Sequence, residues 1–293
     1  MTLALTVLQI VAPVFALAGI GFAWVRLGYA YDTAFVTRLA TMLAVPCLIF
    51  VALARSGLDP NAAGRLLIAS LVAYGAVLAV MLGLCRVLRL APRTYWAPLS
   101  FGNTGNVGLP LALFAFGDLG LGYAVIVFSV TSILAFTVGI WIVSGGGNPL
   151  RALREPMVVA TLLGGLFLWQ GWTVPDVVFN AVDLIGQMGI PLMLITLGVA
   201  VAQLRPAGLW GAVGLSVGKA VLCAALAYGV GLVFGLDRMT TGVLVLQMAT
   251  PVAVTSYLLA AKYGAEAEPV AGLVVVSTVL SVVILPLLLA GFV

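Results

Sequence analysis

The stretch SFGNTGNVGLP, residues 100–110, sets two asparagines, three glycines and a proline inside an otherwise apolar run. Glycine weakens a helix interior and proline breaks one. Side-chain amides are costly in hydrocarbon unless they are hydrogen-bonded. Yet the flanks on both sides are apolar enough for a membrane span. A broken, polar helix survives at membrane depth only where protein or a water-filled cavity receives it. The stretch therefore reads as a cavity wall.

The whole chain agrees with the flanks. Of its 293 residues, 63% are hydrophobic and 8% charged, and the mean hydropathy is +1.25. A soluble domain carries about 25% charged residues, so the class is all-α integral membrane. The 34 glycines suit close helix packing in lipid better than the alternating pattern of a β-barrel. The net charge of +4 is spread along the loops and reads as membrane orientation, not nucleic-acid binding. Histidine is absent, which removes the commonest metal ligand and general base, and no metal site or cofactor is expected. Cys47, Cys85 and Cys223 fall in apolar segments without metal or redox spacing and read as buried small residues. Residues 1–25 lack a basic start and a cleavage region, and are expected to form the first span.

A span needs roughly 20 apolar residues. Ten are predicted: 4–26, 34–54, 64–90, 95–117, 119–144, 156–172, 177–203, 207–235, 239–262 and 268–291. The longest polar interruption, SGGGNPLRALREP at 144–156, is a short linker. With both termini outside, the inner loops carry Arg26, Arg38, Arg86, Arg89, Arg93, Arg151, Arg154, Arg205 and Lys262. The outer loops carry Arg55, Arg65 and Arg238, so the positive-inside rule favours this orientation.

The chain also repeats itself. Pro46 in AVPCLIFVALA matches Pro191 in GIPLMLITLGVA, 145 residues on, and Pro110 matches Pro251, 141 residues on. Five spans per half force the second half to enter from the opposite face. The expectation is two inverted five-helix repeats, residues 1–145 and 146–293, with helices 4 and 9 broken and crossing. Sites in such folds lie near the midplane on the interrupted helices.

Pro110 removes the donor for the Asn106 carbonyl, and Pro251 that for the Gln247 carbonyl. A new half-helix is expected after each proline. Helix N-termini carry free N–H groups and partial positive charge. Two of them facing each other make a seat for an anion. Asn103 and Asn106 would contribute amides, with Gln247 beside the second break. Thr104, Thr250, Thr255 and Ser256 would contribute hydroxyls. Gly105 and Gly108 would let a second backbone cross closely.

Lys219 lies near the centre of the eighth span, where a charge costs at least ~3 kcal/mol. Two readings stand: it attracts an anion in the cavity, or it braces a carbonyl at a helix break. Gly208, Gly211, Gly214 and Gly218 run along one side of the same span and are expected to serve close packing. Asp32, Asp59, Asp118, Glu155, Asp176, Asp237, Glu266 and Glu268 fall at span ends or in loops. Asp183 alone lies a turn or two inside, which makes it the candidate for proton coupling. No carboxylate cluster stands at the breaks to hold sodium. No histidine-based or paired-carboxylate machinery is present for an intramembrane enzyme.

At these residues the chain resembles the auxin efflux carrier family, which includes plant PIN proteins and bacterial malate or malonate permease-like members. The match rests on FGNTGNVGLPL at 101–111, GIPLMLITLGVAVA in the seventh span and ATPVAVTSYLLAAKYG in the ninth. The resemblance implies ten spans in an architecture like that of bile-acid sodium symporters. A scaffold part would comprise 1–60 and 156–205, and a transport part 61–145 and 206–293. It implies that Asn103, Pro110 and Pro251 belong to the crossover, and that Lys219 matches a basic residue of the eighth span. It further implies a homodimer through the scaffold helices and alternating access of the transport part. The long loop of PIN proteins between spans five and six is missing, and PQGIVPF reads PVAVTSY here. The expected function is export of a small organic anion, a carboxylate, across the cytoplasmic membrane. The alternative is sodium- or proton-coupled symport of the same anion. The expected partners are that anion, the lipid bilayer and a second copy, with no nucleic acid.

Overall fold

The computed structural model describes residues 3–54, 57–145, 155–204 and 208–293, and apart from one isolated bridge every regular element among them is helical. Arg55, Arg151, Arg154 and Arg205, used above for orientation, and most of the linker at 144–156 lie outside the described residues. The first half comprises α1 (Leu3–Arg26), α2 (Thr33–Leu39), α3 (Val45–Ala54), α4 (Pro60–Val87), α5 (Pro92–Ser100), α6 (Leu109–Leu134) and α7 (Ile140–Ser144). The second comprises α8 (Pro156–Gln170), α9 (Asp176–Gln187), α10 (Gly189–Gln203), α11 (Leu209–Val233), α12 (Arg238–Ala249), α13 (Val254–Lys262) and α14 (Ala267–Leu289). Wider π-turns at Ala40–Ala44, Thr104–Gly108 and Ala135–Gly139 join α2 to α3, lead into α6, and join α6 to α7.

Among the described residues seven helical stretches are long and apolar enough to cross a membrane: Leu5–Arg26, Thr33–Ala54, Pro60–Val87, Thr104–Ser144, Asp176–Gln203, Leu209–Val233 and Ala267–Leu289. Three of the ten predicted spans do not qualify, each for a structural reason. The sixth, α8, has 15 residues. The ninth is cut into α12 and α13. The fourth is cut after α5, and its remainder runs into the fifth as Thr104–Ser144. That stretch has 41 residues and would measure about 60 Å as one straight helix, twice a bilayer core. It bends at Gly117, whose φ of 67° and ψ of −160° are open to glycine and not to a side-chain-bearing residue.

Three of the loop carboxylates have a local task. Asp32 accepts from the Phe35 N–H at 2.9 Å, Asp59 from Asn61 and Ala62 at 3.1 and 3.2 Å, and Asp237 from Thr240 at 2.8 Å. Each caps the N-terminus of the helix that follows, where exposed donors and the helix dipole favour negative charge. Trp24, Trp141, Trp169, Trp172 and Trp210 are exposed near helix ends, as suits aromatic side chains at a membrane interface.

Packing is heaviest between α1 and α10, between α3 and both α8 and α9, and between α11 and both α12 and α14. The α1–α10 contact is a reciprocal glycine crossing. A Cβ at Gly198 would fall on the Ala18 carbonyl, and one at Gly21 on the Ile195 carbonyl. Small residues that let backbones approach are the main route to helix association in lipid. The glycine row in α11 behaves otherwise. A Cβ at Gly208, Gly211, Gly214 or Gly218 would meet nothing within 4 Å, so these residues do not close-pack α11 against the described chain.

Candidate functional site

The two broken helices meet at their breaks. After α5 the chain runs extended through Phe101–Asn103 and becomes helical again at Thr104. After α12 it runs extended through Thr250–Ala253 and becomes helical at Val254. The extended segments pair antiparallel at Gly102 and Val252, and the Asn103 N–H donates to the Pro251 carbonyl at 2.6 Å. Gly102 permits this pairing, because a Cβ there would collide with the Thr250 side chain. Gly108 likewise lies against the Gln247 amide.

The first break stands seven to nine residues before the position expected from Pro110. Proline is well tolerated in the first turn of a helix, and Pro110 sits there in α6. The π-turn at Thr104–Gly108 carries the chain into it, with the Leu109 N–H reaching back to Thr104. Pro46 and Pro191 are similar: the first follows the π-turn at Ala40–Ala44, the second the interruption at Met188 between α9 and α10. Pro251 does stand in its break. The Gln247 carbonyl, deprived of a donor at Pro251, accepts the Thr250 hydroxyl at 2.6 Å and the Thr250 N–H at 3.4 Å.

Two helix N-termini result, at Thr104 and at Val254, and both line one cavity of about 180 Å³. Its wall includes Asn103, Thr104, Gly105 and Asn106 from the first break, and Ala253, Val254, Thr255 and Ser256 from the second. Asn103 caps the first N-terminus, its side-chain oxygen accepting the Asn106 N–H at 3.3 Å. Its Nδ2 is buried and has no hydrogen-bond partner among the described residues. The first-turn N–H groups of Thr104, Gly105, Val254 and Thr255 have no acceptor within their own helices. The remaining wall is largely apolar, with Phe101, Phe128, Phe136, Met157 and Met193, and with Thr131 and Ser132 as further hydroxyls. The volume is close to the ~150 Å³ that holds a benzene, and below the ~300 Å³ at which drug-sized sites begin.

Arg93 is the charged residue of this wall among the described residues. Its guanidinium donates to the Val143 carbonyl at 3.2 Å and to the Tyr263 carbonyl at 3.4 Å, tying together the ends of α7 and α13. In the sequence Arg93 looked like one more loop arginine, and Thr131 and Ser132 were not singled out. No spacing rule connects them with the break.

Other predicted site residues lie apart from this cavity. Lys219 is 1% exposed, and its ammonium donates to the Thr250 carbonyl at 2.7 Å. It lines a separate small cavity with Ser216, Ser277 and Ser281, and its contact is with a carbonyl at the break of the second helix. Thr250 lines that second cavity as well. Gln247 is fully buried, with its amide unpartnered among the described residues. Asp183 accepts from the Gln187 amide at 2.9 Å and lines a third cavity, of about 690 Å³, with Asp118, Leu48, Ile190 and Pro191.

Comparison with known proteins agrees with a carrier. The model of the family described as "Membrane transport protein" matches residues 6–152 and 146–289. An uncharacterized transporter of Methanocaldococcus jannaschii is 24% identical over 200 residues, 64% of either chain. An uncharacterized transporter of Methanothermobacter thermautotrophicus is 25% identical over 87% of this chain and 88% of its own length. A Rhizobium meliloti protein named "Putative malonate transporter" is 25% identical over 93% of this chain and 92% of its own. With both halves matched and the crossover motif in place, the chain belongs to the membrane transport protein family, the auxin efflux carrier family that its motifs resemble.

Proposed function

We propose that the protein is a secondary transporter that exports a small organic anion across the cytoplasmic membrane, with the carboxylate held between the N-termini at Thr104 and Val254. One observation carries this reading: two helix N-termini and Asn103, whose buried Nδ2 has no partner among the described residues, line a single cavity. Unpaired donors and partial positive charge bind a carboxylate without a fixed counter-charge. The apolar remainder of the wall suits the carbon body of such a ligand. Asn103, Thr104, Asn106, Thr255 and Ser256 supply the polar contacts, and Arg93 draws anions toward the wall it lines.

Alternating access is supported by the positions of the two larger cavities. Both lie between α3 and α10 on one side and α5, α6 or α13 on the other, the first beside Arg93 and the second beside Asp118. The proposed scaffold is α1–α3 with α8–α10, and the proposed transport part is the rest, in ten spans and two inverted repeats with both termini outside. A cell interior at negative potential favours anion export by ~2.3 kcal/mol per unit charge per 100 mV. Malonate is the first substrate to try, because a relative is named for it.

The test is reconstitution into liposomes with labelled malonate inside and an imposed potential. Efflux is expected to speed up as the lumen is made more negative, and to fall in Asn103→Ala. Efflux equal to that of empty liposomes for malonate and for a panel of monocarboxylates would sink the reading.

A further inference from the structure

A sliding interface in lipid faces a hydrogen-bond problem. A hydroxyl that loses its partner during a stroke finds no water to replace it, and an unpaired polar group in hydrocarbon is costly. Such an interface should be apolar. The contact between α6 and α8 is not. Ser129 of α6 and Thr161 of α8 share a hydrogen bond of 2.8 Å.

Both hydroxyls have a second acceptor on their own helix. The Ser129 Oγ stands 2.7 Å from the Val125 carbonyl, and the Thr161 Oγ1 stands 2.8 Å from the Met157 carbonyl. Each carbonyl lies four residues back, the usual local acceptor for a helical hydroxyl. When the pair is joined, one hydroxyl donates to the other, which donates to its carbonyl. When the pair is parted, each donates to its own carbonyl. Two protons have two acceptors in either arrangement, so separation orphans neither.

The pair also stands where relative motion would act. Ser129 follows Phe128, and Thr161 lies one turn past Met157; Phe128 and Met157 both belong to the wall of the cavity beside Arg93. Helix α8 is seated on α3, so closely that a Cβ at Gly164 would fall 2.9 Å from the Leu53 Cβ. Helix α6 is tied to α4, where the Thr131 hydroxyl meets that of Tyr74 at 2.6 Å. Under the division proposed above, α3 and α8 belong to the scaffold, and α4 and α6 to the transport part. Helix α6 cannot travel along α8 without parting Ser129 from Thr161.

We propose that Ser129 and Thr161 form a latch across the seam between scaffold and transport part. Joined, the latch holds Asn103 in the cavity beside Arg93. It opens at each stroke without leaving an unpaired proton in the membrane. The proposal rests on the alternating access inferred above, and not on the identity of the anion.

The experiment needs no substrate. Cys47, Cys85 and Cys223 are replaced by alanine, and Asn106→Cys serves as a reporter on the moving part. A membrane-impermeant maleimide is given to sealed vesicles from the Arg93 side or from the Asp118 side. Labelling from the Asp118 side reads the population of the opposite state. It should speed up by about two- to tenfold in Ser129→Ala, as the loss of one hydrogen bond requires. Thr161→Val should show the same factor, and the double variant no more than either single one, because the pair is lost at the first substitution. Thr161→Ser, which keeps the hydroxyl, should stay within about twofold of the parent. Equal labelling in the parent and in all three latch-free variants overturns the latch. Factors that multiply in the double variant also overturn it, since they mark two separate packing effects. A reporter that is labelled from the Arg93 side and in no variant from the Asp118 side sinks alternating access itself.

Discussion

Gly102→Ala is the most direct probe of the crossing. A methyl group there would overlap the Thr250 hydroxyl and stand 3.0 Å from the Thr250 carbonyl oxygen and 3.3 Å from its Cβ. Thr250 has nowhere to turn. It is fully buried, its hydroxyl is committed to the Gln247 carbonyl at 2.6 Å, and its carbonyl to Lys219 at 2.7 Å. The two extended segments must therefore separate. Overpacking costs about 1–3 kcal/mol. Weakening the bond from Asn103 to Pro251 adds about 0.5–1.5 kcal/mol. The total is roughly 2–4 kcal/mol, which at about 2 °C per kcal/mol for a chain of this size lowers Tm by roughly 4–8 °C. The control is Gly218→Ala, whose new methyl group meets nothing within 4 Å. It should hold or raise Tm, since alanine is favoured over glycine in a helix by up to ~1 kcal/mol. The assay is thermal melting of detergent-solubilised protein, followed by carboxylate titration of each variant. A Gly102→Ala protein that melts at or above the Gly218→Ala protein would refute the close crossing.

Three further outcomes can be measured in the same way. Asn103→Asp keeps an equivalent N-cap, so Tm should stay close to wild type. Its carboxylate would face the bound anion, and at 4 Å and an effective dielectric near 20 the repulsion is about 4 kcal/mol, so affinity should fall by between about tenfold and a thousandfold. Gly198→Ala should lower Tm by an amount reflecting about 1–3 kcal/mol, because α1 must move off α10; carboxylate affinity measured below the transition should be unchanged. Gln247→Met removes a buried amide that lacks partners, and should be at least as stable as wild type, with affinity altered by less than about twofold.

Much of the helical layout was legible in the sequence, because apolar runs bounded by Asp, Gly and Pro leave little choice in a membrane. The breaks were legible too, although one was placed too late. Pro110 marks where a helix tolerates a missing donor, and that condition is met in a first turn as well as at a kink. The actual departure from helix at Phe101–Asn103 is set by Gly102 and by the N-cap geometry of Asn103. Both depend on a partner strand about 150 residues away in sequence. Lys219 was recognisable as costly and was given two readings, but only the fold tells which oxygen it meets. The glycine row of α11 misled for a related reason. Spacing shows that small residues share one face, not that anything lies against that face. Gly21 and Gly198, which do carry a close crossing, belong to no row of small residues at helical spacing like that of α11 and were not singled out by pattern.

The wall between the two larger cavities has unequal thickness on its two sides. Along α3 the last residue of one cavity is Val45 and the first of the other is Leu48, and along α10 the corresponding pair is Met193 and Pro191. Two to three residues of helix measure about 3–4.5 Å. On the opposite side the matching pairs are Asn106 with Leu113, and Phe128 with Leu121, seven residues apart and about 10 Å along the axis. A thin sill thus faces a plug more than twice its height. For a body sliding past such a sill, the stroke is the height of the plug, not of the sill. Under the alternating access proposed above, a displacement of about 10 Å would carry Asn103 from one basin to the other.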